Sequence, residues 1–69
     1  MITAMKAWIA KNADGEVLMH SRKPHKIKSL GVWGVEDADI FAIYPLPEGI
    51  NPQWEDDEPI KVEITLKKI

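Results

Sequence analysis

The last eight strand-like residues of the chain decide its fold class. Ile60, Val62, Ile64 and Leu66 alternate with Lys61, Glu63, Thr65 and Lys67. Side chains of an extended strand point to opposite faces in turn, so this spacing makes one apolar and one solvated face. β-Branched residues at 60, 62, 64 and 65 suit a pleated surface. Pro59 stands at the entry, where a missing N–H costs no ladder bond. One strand cannot hide its own apolar face, so the rest of the chain must supply partners.

The N-terminal segment supplies the first. Met5, Ala7 and Ile9 alternate with Lys6, Trp8 and Ala10, while Ile2, Met5, Trp8 and Ile9 also fall at helical spacing. The residues after Lys11 favour the strand. Asn12-Ala13-Asp14-Gly15 has turn chemistry, and Glu16 to His20 reads as a return strand. Together they predict a hairpin with a loop of four or five residues. Residues 21–31 read as a basic loop, broken by Pro24 and ended by Gly31. Val32–Val35 reads as a third strand, Glu36–Asp39 as a turn, and Ile40–Tyr44 as a fourth strand. That fourth strand is apolar on both faces, as a central strand would be.

Prolines at 45, 47, 52 and 59 then interrupt the chain. Regular structure is not expected there beyond one short helical turn near Pro47-Glu48-Gly49-Ile50, with Pro47 at its first position. The segment is expected to wrap the sheet and to bury Ile50 and Trp54. The predicted object is all-β and a single domain over residues 1–69. It is a small bent antiparallel sheet or open barrel of about five strands, the last pairing near the first.

At 69 residues one domain is the natural unit. The chain has no cysteine, which excludes disulfides, thiolate nucleophiles and cysteine-ligated zinc. That suits a reducing compartment. No apolar run has the length of a membrane span, and no signal-peptide core is seen, so the expected location is cytoplasmic, with no membrane partner. Met5, followed by Lys6-Ala7-Trp8, offers a second translation start that would make residues 1–4 dispensable.

Trp8-Ile9-Ala10, Asp14-Gly15-Glu16, Lys23-Pro24 and Trp33 form one recurring set of features. Trp54-Glu55-Asp56, Pro59 and the alternating Val62 to Leu66 complete it. In these the chain resembles short proteins of gut-bacterial and phage genomes that have no assigned activity. The resemblance implies a free-standing module from a mobile element or phage, and it brings no catalytic residue with it.

No catalytic arrangement stands out, and the expectation is a protein that is not an enzyme. His20 and Ser21 are neighbours, so on a strand they would point apart, and with His25 they read as exposed loop residues. Asp56, Asp57 and Glu58 read as a solvated run rather than an acid–base pair. His20 and His25 match no zinc spacing, and Glu36 to Asp39 lacks the offsets of a calcium loop. Neither a metal nor a cofactor is expected.

Binding has more support, because charge is sorted along the chain. Residues 1–28 hold six Lys or Arg against two acids; residues 29–60 hold eight acids and no Lys or Arg. Such sorting means self-pairing or a charged partner. If Met5, Ala7 and Ile9 face the core, Trp8 and Leu18 share the outer face with Lys6, Glu16 and His20. The alternative is a two-sided strand covered by the Pro-rich segment. The predicted role is a small non-enzymatic protein-interaction module, self-associating as a homodimer or docking another protein. Trp8, Leu18 and Trp33 would be its apolar anchors, and Glu55, Asp56, Asp57 and Glu58 its charged rim. The alternative is a weak nucleic-acid-binding module using the basic loop at Arg22, Lys23, Lys26 and Lys28. The acidic pI of about 5.6 opposes it.

Overall fold

The computed structural model describes the backbone of residues 2–67 and the side chains of residues 4–65. Among these residues are six strands and no helix. The strands are β1 (Ile2–Lys11), β2 (Val17–His20), β3 (His25–Ile27), β4 (Val32–Gly34), β5 (Ile40–Ala42) and β6 (Ile60–Lys67). Four of them form an antiparallel sheet in the order β5-β2-β1-β6, and β3 and β4 form a separate hairpin. The large sheet keeps two edges, β5 and β6, so it is open and not a barrel.

The alternating last strand pairs with the first along eight rungs, from Ile2 opposite Lys67 to Ile9 opposite Ile60. Residues 2–4 thus belong to the ladder of the sheet, including those ahead of the second methionine. The β1–β2 hairpin forms around Asn12–Glu16, where Asp14 Oδ1 accepts the Glu16 N–H at 2.9 Å and Gly15 takes φ +95°.

Three expectations change. The basic segment is not all loop, because His25–Ile27 pairs with Val32–Gly34 and makes the sixth strand. Pro24 sits just before that strand, where it costs no ladder bond. The fourth expected strand is shorter and lies at an edge: Ile40–Ala42 pairs with β2 alone. Its two apolar faces are exposed rather than central. The helical turn near Pro47 is a single hydrogen-bonded turn, with the Ile50 N–H donating to the Pro47 carbonyl at 3.2 Å.

The register sorts the large sheet into two faces. One carries Met5, Ala7, Ile9, Met19, Phe41, Ile60, Val62 and Ile64; the other carries Lys6, Trp8, Ala10, Leu18, His20, Lys61 and Glu63. Both are buried at the centre, where Ala7, Ile9, Ala10 and His20 are almost wholly covered. The β3–β4 hairpin covers the second face. Trp33 of β4 is buried there, and Trp54 of the Pro-rich segment meets it edge-on, with ring centroids 6.5 Å apart. Pro52 is also fully buried.

Asn12 joins the two hairpins. Its backbone closes the β1–β2 loop, donating to the Glu16 carbonyl at 2.8 Å and accepting the Gly15 N–H at 3.0 Å. Its buried side-chain oxygen accepts the Trp33 N–H at 2.9 Å. Beside it, the Ala13 N–H donates to the Gly31 carbonyl at 2.9 Å. Gly31 sits at φ +67°, and a Cβ there would stand 3.3 Å from the Ala13 Cβ, so the hairpins meet where a larger residue would not fit easily.

Asn12→Ala would leave the buried Trp33 N–H without its acceptor, at a cost of about 1–3 kcal/mol. For a domain of this size the melting midpoint should fall by about 4–8 °C per kcal/mol. A thermal melt followed by circular dichroism checks this. An unchanged midpoint would mean that the two hairpins do not depend on that bond.

Candidate functional site

One apolar surface feature arises from unequal strand lengths. β1 runs ten residues and β2 four. β2 covers β1 from Trp8 to Lys11. Among the described residues no strand pairs with that edge of β1 ahead of Trp8. Past His20, where its pairing with β1 ends, the chain stays bonded on the β5 side. The Ser21 N–H donates to the Asp39 carbonyl at 3.0 Å, and the Asp39 N–H donates to Ser21 Oγ at 2.8 Å.

The step between the strands is a notch of about 200 Å³, lined chiefly by Met5, Ala7, Met19, Phe41 and Ile64. All five lie on one sheet face by register. Met5 is 49% exposed and Phe41 50%. An apolar hollow beside free backbone N–H and C=O groups has the chemistry to take an extended segment as an added strand.

The residues singled out in the sequence are distributed differently. Trp8 and Leu18 do share a face, but both are half-buried. Lys61 Nζ lies 5.8 Å from the Trp8 ring centroid. Trp33 is interior and presents no surface to a partner. In the acidic run, Asp56 Oδ2 accepts the Gln53 N–H at 2.9 Å and so shapes a turn. Glu58 pairs with Lys23 at 2.9 Å, while Glu55 and Asp57 are exposed. The basic loop and the acidic run therefore meet each other. Both partners of that pair are exposed, so its contribution is about 0–1 kcal/mol.

Of the other basic residues, Lys26 Nζ lies 4.8 Å from the Trp54 centroid and 5.3 Å from that of Trp33. Arg22 Nη1 donates to the Glu36 carbonyl at 3.4 Å, and Lys28 is exposed. Among the described residues no three His, Asp or Glu side chains gather as a metal site. No helix there is long and apolar enough to cross a membrane.

His20 corrects the expectation of an exposed residue, while its place in the return strand is as expected. It ends β2, opposite Trp8, and is fully buried. Neither ring nitrogen makes a hydrogen bond, although the Trp8 and Trp33 carbonyls lie nearby. Its place two residues after Leu18, on the same strand face, was the available signal. Burial pushes its pKa below the ordinary value of 6.5, and the two carbonyls oppose that shift in part.

Between the lowered folded value and 6.5, the unfolded chain binds the extra proton. Acid therefore favours unfolding across that window. Stability should be full above about pH 6.5 and fall below it, by at most about 1.4 kcal/mol per pH unit. Urea unfolding of the wild type and of His20→Leu across this range checks it. The variant should show a flatter profile, and two identical profiles would remove His20 as the cause.

Compared with family models, curated proteins and solved structures, the chain matches none.

Proposed function

We propose that the chain is a cytoplasmic, non-enzymatic protein-interaction module, and that it binds through the notch beside β1. The observation that carries this reading is the half-exposed pair Met5 and Phe41 next to an unpaired strand edge. A strand added there gains main-chain hydrogen bonds from β1 and seats alternate side chains in the apolar hollow. Trp8 and Leu18 give less, because both are half-buried and Lys61 lies over the Trp8 ring. The acidic run at 55–58 is occupied in part with turn formation and with Lys23.

Less supports the nucleic-acid alternative. Lys23, Lys26 and Arg22 each have partners within the protein, which leaves Lys28 as the freest cation of the loop. Absence of DNA or RNA binding at about 50 mM salt, where electrostatic attraction is strong, would end it.

Selection of random peptides on the immobilised protein tests the main reading. The wild type should enrich extended sequences with apolar residues at alternate positions. Phe41→Glu should abolish that enrichment while changing stability by less than about 1 kcal/mol, since the residue is half exposed at an edge. Enrichment that survives the substitution would place binding elsewhere.

A further inference from the structure

We infer that the occupant of the notch is a second copy of this chain, with its β1 laid antiparallel on the free edge of β1. This rests on the notch being the binding surface. Among the described residues, residues 2–7 of β1 pair with a strand on one side only, β6. β6 continues beside them to Lys67, so two strands project past the end of β2 and β5. The sheet therefore has a stepped outline, an arm two strands wide beside a missing corner two strands wide.

A two-fold axis through the free edge fits one outline into the other. The β1 arm of each copy then continues the line of β2 in the other, and its β6 continues the line of β5. Self-complementary contacts of this kind close at two copies and leave no repeating free end.

Register and charge select the pairing. An axis perpendicular to the sheet keeps both apolar faces on one side when Ala4 faces Ala4, or when Met5 faces Met5. Lys6 is the only charged residue among residues 2–7. In the first register it faces Ile2 of the other copy, and in the second it faces Ala4. A register with Lys6 opposite Lys6 would set Ala4 against Trp8, whose edge is already taken by His20, and leave only residues 5–7 to pair; the Met5 register meets that limit only at Ile2 and pairs residues 3–7. Like charges are thus kept apart by the length of β2. At the end of the arm, Lys67 is the β6 position paired with Ile2. The two-fold brings that basic position towards the turn that carries Asp37 and Asp39, an acidic one in the other copy.

The absence of cysteine permits a direct test. Residues facing each other across antiparallel strands have Cα separations of about 4.5–5.5 Å, within disulfide reach. Ala4→Cys or Met5→Cys should give a covalent dimer under mild oxidation, much faster than Leu30→Cys on the exposed β3–β4 turn. Light scattering of the wild type should give twice the chain mass, and Phe41→Glu should return it to one while its melt remains cooperative. A monomer at about 1 mM, where even a pair with a millimolar Kd is substantially formed, would overturn the inference. So would a dimer that crosslinks no faster through residues 4 and 5 than through residue 30. If such a monomer still selects alternating peptides, the binding surface stands and only its occupant is wrong. If it selects none, both readings fail.

Discussion

The bond from the Trp33 N–H to the Asn12 side chain holds two hairpins that share no strand ladder. Its neighbour, from the Ala13 N–H to the Gly31 carbonyl, secures the loops of the same two hairpins. With those ends fixed, Trp33 lies over the His20 face and Trp54 can close against it. Lys26 then spans both rings with its charge over their faces. A buried donor makes such a bond obligatory, because water cannot replace the lost partner. The second layer of this small protein is therefore positioned by polar geometry, and its apolar contacts depend on that placement.

Local pattern revealed much of the sheet and little of the surface. The alternation from Ile60 and the turn at Asn12–Gly15 identified the first hairpin and the last strand, and one-sided burial required those strands to meet. β3 was hidden because its three residues lie in a basic stretch with Arg22, Lys23, Lys26 and Lys28 and come after a proline. There the Lys26 ammonium lies over Trp33 and Trp54, a contact made across the fold. β5 misled because two apolar faces usually indicate burial on both sides. The strand face of His20 was legible beside Leu18, but its burial depends on the second layer above it.

The notch was invisible for a different reason. It arises from the difference in length between β1 and β2, and no single segment encodes a difference. Met5, Met19, Phe41 and Ile64 come from four strands and meet only once the register is known. Charge sorting was visible at once, but its meaning was not. The two segments meet at Lys23 and Glu58 on the surface, where ion pairs contribute to solubility and register more than to stability.

The pairing of first and last strands has a consequence for the order of assembly. Ile9 lies opposite Ile60, so the nearest rung of that ladder spans 51 residues of chain. Loops of that length close at a considerable entropic cost before any contact compensates it. The two hairpins are local and can form early, while β1 keeps one edge open until β6 arrives. During synthesis on the ribosome, that edge is exposed for most of the time the chain takes to emerge. A chain arrested before residue 60 would hold the hairpins without the strand that completes the sheet.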